Sequence, residues 1–323
     1  MKVLITGADG FIGRHLSERC VEHDTVLVSR KLTKQLPNSH AIGDMSVFDG
    51  WETLFDGVDV IVHLAAKVHQ MDRGDPDTYY QANQQVVGRM VDAAVAQGVK
   101  RFIFISTIKA CTESRSEKVA VPKEVDGNQS DRKDRGEGDG MLGQDPYAHS
   151  KSLAEQILIE KSSESSLEVV IIRPPLVYGP GVKANFMRLW DLSARVYPLP
   201  FASINNRRDM VSVYNLCDLI ILCLQHPAAK NKILNVSDGR PYSLAGLLTA
   251  MRQTRGMKPR LLPCPKAILQ LLLSLMGRND VSVRLLGNLE IDISETCRLL
   301  DWQPNYSMAH TLQTMIERSS DDV

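Results

Sequence analysis

The sequence predicts an α/β protein, a doubly wound parallel sheet with a smaller, mostly helical C-terminal lobe. Three observations point to it. Short apolar runs alternate with helix-period segments through the first half of the chain. The first run, Lys2 to Thr6, enters a glycine turn and then a helix pattern. Beyond Val177-Tyr178-Gly179-Pro180-Gly181 the alternation loosens into helix-period segments broken by prolines.

Composition sets the outer limits. The 323 residues are 43% hydrophobic and 24% charged, enough for one large domain or two smaller ones. Formal net charge is zero and the pI is near 7.1, so no basic surplus suggests nucleic acid or an anionic membrane, and neither is expected as a partner. The longest apolar run, Ala267 to Met276, includes Gln270 and Ser274 and is too short to span a bilayer. Val3-Leu4-Ile5 is too short for a signal peptide, and a cytoplasmic location is expected. The six cysteines are scattered without a Cys-x-x-Cys pair and are read as reduced thiols, a disulfide framework being the alternative.

Each element then follows in order. In Gly7-Ala8-Asp9-Gly10-Phe11-Ile12-Gly13, Gly7 permits a tight turn and Gly10 lets backbone approach a pyrophosphate at the helix N-terminus. Gly13 lets the helix pack closely on the strand; a ligand-free glycine turn is the alternative. The second strand, Thr25 to Val28, leads to Ser29-Arg30-Lys31, with no acid for the ribose hydroxyl of NAD. Arg30 suits the extra phosphate of NADP, so NADP is expected and NAD is allowed; a solvated basic turn is the plainer reading. Asp44 follows a third strand and either caps a turn or accepts from an adenine amino group. Val58 to Leu64 is a buried strand, and the small residues of Leu64-Ala65-Ala66 let a flat cofactor lie against its end. His63 and His69 flank that end without a supporting cluster, so no metal site is expected.

Thr78 to Ala96 reads as a long helix carrying Asn83, with Val86, Val87, Met90, Val91 and Ala94 on one face. Phe102 to Ile105 is a buried strand ending in Ser106-Thr107, whose hydroxyls can face a ligand or cap the strand. Glu113 to Gln144 is polar and glycine-rich, as expected of a flexible loop on the site's rim. Pro146 opens a helix on which Tyr147 and Lys151, four apart, share a face. A lysine ammonium beside a phenol favours the phenolate and makes it a proton-transfer group near neutral pH. Leu153, Ile157 and Leu158 are the apolar positions expected to bury one face of this helix. Glu168 to Ile172 is the sixth strand, closed by Arg173-Pro174-Pro175. Further on come an extended stretch at Met210 to Val213, a helix from Tyr214 to Gln225, a strand at Lys232 to Val236 and a last helix from Ser307.

Together these residues resemble the extended short-chain dehydrogenases/reductases, and within them the nucleotide-sugar epimerases and reductases. The resemblance rests on Thr6 to Gly13, His63 to Ala66, Ser106-Thr107, Tyr147 to Lys151, Arg173-Pro174, Arg208 to Val213 and the ending Leu299 to Pro304. It implies a Rossmann-type domain over 1–172, with 211–236 returning to it, and a substrate lobe over 173–210 and 237–323. It implies Tyr147 as acid/base, Lys151 on the nicotinamide ribose, Thr107 on the reacting sugar oxygen and Ser106 beside the cofactor. Asp44 is then the adenine acid, Asn83 lies near the nicotinamide end, Pro174 binds the cofactor, and Arg208 and Asn185 meet the diphosphate and sugar of the substrate. Ile108-Lys109 stand where 4,6-dehydratases carry Asp-Glu, which argues against dehydration. The expected activity is reduction of a 4-keto nucleotide sugar, a UDP-sugar by the resemblance, with 4-epimerisation of a UDP-hexose or UDP-N-acetylhexosamine as the alternative; a non-sugar ketone reductase and a non-catalytic NADP sensor stand further back. A homodimer through a helix pair is common for the fold.

Overall fold

A computed structural model of the chain describes residues 1–31, 37–66, 80–112, 146–277, 282 and 285–321. His69, the segment 113–144 and the start of the helix expected from Thr78 lie outside the described residues. The chain packs as two compact units, one of Met1–Pro174, Cys217–Val236 and Ile293–Trp302, the other of Pro175–Leu216, Ser237–Asp292 and Gln303–Val323.

The first unit begins with β1 (Lys2–Thr6), α1 (Phe11–Arg19), β2 (Asp24–Ser29), β3 (Ser39–Ala41), α2 (Trp51–Leu54) and β4 (Val60–His63). A π-helical turn (Tyr80–Gln85) leads into α3 (Val86–Ala96), then β5 (Arg101–Ile105), a 3₁₀ turn (Ile108–Thr112), α4 (Pro146–Glu164) and β6 (Glu168–Arg173). In the second unit, β7 (Leu176–Tyr178), α5 (Ala184–Ser193) and β8 (Met210–Ser212) come first. The helix α6 (Val213–Cys223) carries the chain back to the first unit, where β9 (Lys232–Asn235) follows. Then come α7 (Leu244–Thr254), α8 (Lys266–Leu275), α9 (Ser294–Leu300), which belongs to the first unit, and α10 (Met308–Asp321).

Seven strands form one parallel sheet in the order β3-β2-β1-β4-β5-β6-β9. A parallel sheet is covered on both faces, so its strands read as unbroken apolar runs. Val60 to His63 and Arg101 to Ile105 are buried at every position. One face of the core joins Leu4, Ile61, Phe102 and Phe104 to Met90 and Val91 of α3 and Leu158 of α4. Each such side chain contributes about 1.5–3 kcal/mol on leaving water. The strand order changes direction between β1 and β4, and ligands of open parallel sheets bind outside the strand ends at such a switch point.

Two helices depart from the pattern read in the sequence. The helix expected from Thr78 is described from Tyr80 and opens as a π turn, a local widening frequent at functional sites. Helix α4 does not bury an apolar stripe. Of Leu153, Ile157 and Leu158 only Leu158 is fully buried, and the inward face carries Ser150, Lys151, Ser152 and Glu155. Ser150, Lys151 and Glu155 hold that face because each finds a buried partner, as described below.

In the second unit β7 and β8 pair in parallel. Arg252, fully buried on α7, donates to the carbonyls of Ser193, Arg195, Tyr197, Pro259 and Arg260 at 2.6–3.2 Å. One guanidinium thereby satisfies irregular backbone that has no ladder of its own. In the first unit α9 ends at Asp301, whose φ of 46° occupies the left-handed region, and Trp302 N–H closes back on the Cys297 carbonyl at 3.1 Å.

Candidate active site

The glycine turn after β1 is built by close backbone contact. Gly7 has φ +70°, and a Cβ there would meet Ala65 N at 2.8 Å. At Gly13 a Cβ would fall 2.2 Å from the Gly7 carbonyl oxygen, so helix and turn close only on glycine. Gly10 N–H donates to the Gly7 carbonyl at 2.9 Å, and Gly10 is the N-cap of α1 with no side-chain cap. The first-turn N–H groups of α1, including those of Phe11 and Ile12, therefore stand open to an anion. Asp9 beside them is paired with Arg14 at 2.9 Å, which offsets a charge that would oppose phosphate.

The rest of the strand ends line up with this turn. Asp9 N–H donates to Ser29 Oγ at 2.9 Å, and Gly43 N–H donates to the Arg30 carbonyl at 3.2 Å. Arg30 and Asp44 are thus brought to the same ends of β2 and β3, both exposed; Asp44 Oδ1 also accepts from Ser46 N–H at 2.9 Å. Leu64, Ala65 and Ala66 are half-buried at the end of β4, and Ala65 N–H reaches Thr6 Oγ1 at 3.4 Å. His63 is buried, shares a 2.8 Å hydrogen bond with Thr6 Oγ1 and stacks on Phe104 at 5.9 Å. Burial, and secondarily the charge of Lys151, holds its pKa down at about 3, so it is neutral at physiological pH. It is a neutral prop under the strand end.

Lys151 is 1% exposed and donates to the Ile105 carbonyl at 2.8 Å, with its ammonium 4.2 Å over the Phe104 ring. That contact fastens α4 to the strand end carrying Ser106 and Thr107. Burial lowers the Lys151 pKa to about 7, against a smaller opposing pull from Glu155. Ser106 is buried and its Oγ has no hydrogen-bond partner among the described residues, an orphan that a bound group would satisfy. Thr107 is half-buried, and its Oγ1 accepts from Lys109 N–H at 3.4 Å. Tyr147 is half-buried at the start of α4. The uncapped α1 turn, the tight Gly7–Ala65 contact and the Ser106 orphan all fit a nicotinamide dinucleotide.

Asn83 and Pro174 were singled out in the sequence; Tyr80, Ser150 and Glu155, which support the same site, were not. Asn83 is 1% exposed, and its amide donates to Ser150 Oγ at 3.0 Å, which in turn donates to the Tyr147 carbonyl at 2.9 Å. Tyr80 OH and His149 Nδ1 meet at 2.8 Å. Glu155 and Arg173 form a buried bidentate ion pair, and Arg173 also reaches Cys111 Sγ at 3.0 Å. The available signal was spacing: Tyr147, Lys151 and Glu155 recur every four residues on one helix face. Pro174 is buried, and its carbonyl accepts from Ile108 N–H at 3.0 Å.

Arg208 and Asn185 belong to the second unit. The Arg208 backbone pairs both ways with Tyr242, and its guanidinium donates to the Gly287 carbonyl at 3.0 Å. Burial lowers its pKa, and among the described residues it meets no carboxylate. Asn185 is exposed at the second position of α5. Among the described residues no group of His, Cys, Asp and Glu could hold a metal ion. A hollow of about 450 Å³, lined by Met1, Asp59, Lys100, Arg101 and Glu168, lies at the amino ends of the strands, away from these side chains.

A seven-stranded parallel sheet of this order, with Ser-Thr and Tyr-x-x-x-Lys at its carboxyl edge, defines an enzyme of the extended short-chain dehydrogenase/reductase type. The chain belongs to the NAD dependent epimerase/dehydratase family, whose model matches residues 3–237. It is 36% identical over 310 residues to a Vibrio cholerae protein named UDP-glucose 4-epimerase, covering 94% of this chain and 90% of that one. Among solved structures it is similar to MoeE5 in complex with UDP-glucose and NAD, with a TM-score of 0.73 at 20% identity over 100% of this chain and 99% of that chain. UDP-glucuronic acid 4-epimerase from Bacillus cereus in complex with NAD aligns with a TM-score of 0.71 at 20% identity, over 99% of both chains.

Proposed function

We propose that the protein is a nucleotide-sugar 4-epimerase, acting at C4 of a hexose carried on a nucleoside diphosphate. The 36% identity to the V. cholerae 4-epimerase over nearly the whole chain is the observation that carries this reading. The site residues support it. When bound, a nicotinamide dinucleotide supplies hydride exchange. The N-terminal turn of α1, Leu64 to Ala66, Asn83, Ser106 and Pro174 would hold it, with Asp44 toward the adenine. Lys151 orients the ribose and supports negative charge on Tyr147. Tyr147 takes the proton from the C4 hydroxyl and later returns it to the C4 oxygen. Thr107 donates to that oxygen as charge develops on it. Arg208, half-buried and meeting no carboxylate among the described residues, supplies the charge that a substrate diphosphate would neutralise, and Asn185 adds a polar contact.

A second reading is favoured by one observation: Arg30 is exposed at the end of β2, where an acid would select NAD. An exchangeable NADPH would make the same site a 4-keto-sugar reductase. Two assays separate the readings. Interconversion of UDP-hexose C4 epimers without net change at the reduced-nicotinamide absorbance band, lost in Tyr147→Phe by about 10²–10⁴-fold, establishes the epimerase. Stoichiometric consumption of NADPH with a UDP-4-keto-6-deoxyhexosamine establishes the reductase instead. Failure of both removes the nucleotide sugar as substrate.

A further inference from the structure

The helix α8 is apolar on more than one side. Leu269 faces inward at 8% exposure, while Ile268, Leu271, Leu272 and Leu275 stand outward at 48%, 60%, 51% and 76%. Their spacing of three, four and seven residues makes one stripe, continued by Met276 at 64%. Single exposed leucines are ordinary, but a contiguous aliphatic stripe marks a contact surface. The loop ahead of α8 adds to it. Leu262 is 51% exposed, and its strand segment is hydrogen-bonded beside Leu199, close to exposed Val196 and Tyr197. The five carbonyl contacts of buried Arg252 fix both segments in place.

Charge selects the occupant. From Gly239 to Asn279 the sequence has seven Lys or Arg and no Asp or Glu, although the chain as a whole is neutral. Lys258, Arg260 and Lys266, just before and at the start of the apolar stripe, are exposed. A second copy of this chain would set one basic stretch against another, and like charges oppose that pairing. An anionic bilayer complements both features: lipid tails take the aliphatic stripe and head groups take the lysines and arginine. At 10 residues α8 is about 15 Å long, so it would lie in the interface and cannot span it.

We infer that α8 and the basic loop before it dock the protein onto an anionic lipid surface. The whole-chain charge balance, which suggests no membrane partner, conceals this stretch. The test is co-sedimentation of the full chain with vesicles of phosphatidylglycerol in phosphatidylcholine, against phosphatidylcholine alone. Binding to the mixed vesicles is expected to be at least about tenfold stronger, and to weaken with salt. The double variant Leu271→Glu, Leu275→Glu should abolish it, and Lys258→Glu, Lys266→Glu should remove the preference for anionic lipid. Unchanged circular dichroism and thermal unfolding would show that both variants fold. The inference is overturned if the native protein does not sediment with anionic vesicles or if the variants bind as it does. It is also overturned if the apolar face instead holds a dimer that Leu271→Glu, Leu275→Glu dissociates. None of these readouts uses turnover, so they stand apart from the proposed reaction.

Discussion

Lys151 sets the needs of the site against the stability of the fold. Burial depresses its pKa from 10.5 to about 7, so between these values the unfolded chain binds more protons than the folded one. Stability therefore rises with pH across that window, and the burial cost is fully present below pH 7. Replacing Lys151 with Met should remove the charge, stabilise the protein by on the order of 2–4 kcal/mol below neutrality and flatten this dependence. Thermal unfolding at slightly acid and alkaline pH reads it. The same variant should lose turnover, because the ribose and the tyrosine lose their cation. His63 has the same sign at lower pH: its folded pKa near 3 means stability falls as pH drops below 6.5. At Arg30, replacement by Ala should weaken NADP binding by roughly tenfold and leave NAD nearly unchanged if the exposed guanidinium reads the phosphate; parallel titrations of both dinucleotides decide it.

At the scale of elements, α4 shows where sequence patterns inform and where they do not. Tyr147 and Lys151 were legible because their spacing places them on one face. The burial of that face was not, since periodicity scores apolar residues and the inward positions here are Ser150, Lys151 and Glu155. Their burial depends on partners far along the chain, Ile105, Asn83 and Arg173, which local pattern cannot supply. Asn83 was read as a site residue but not as a buried one, for the same reason. The glycine turn was legible because much of its constraint is local: Gly13 has no room for a Cβ against Gly7 and Ala8, whereas the approach of Gly7 to Ala65 is long-range. Gly13→Ala should accordingly prevent the first unit from closing, seen as loss of cooperative unfolding. Glu155→Gln leaves the Arg173 guanidinium buried without its counter-charge and should cost about 3–5 kcal/mol by denaturant unfolding. Replacing both residues by apolar ones of similar size should cost less.

For the whole molecule, the parallel doubly wound sheet and its ligand edge followed from the alternation of strand and helix, but the return of the chain at Ile293 to Trp302 did not. Nothing local in Ile293 to Trp302 marks it for the first unit; it belongs there because Thr296 Oγ1 donates to the Asn235 carbonyl at 2.8 Å beside β9. That placement has a consequence for synthesis. β6 is complete at Arg173, but its sheet neighbour β9 begins only at Lys232, and the segment that covers β9 ends at Trp302. At about 5–20 residues per second, the ribosome leaves the outer edge of β6 without a strand partner for several seconds. Val169 to Ile172 on that edge are apolar, so the nascent chain presents an adhesive strand edge in this interval. That open edge is what a holdase would meet, before the sheet that carries the site is complete.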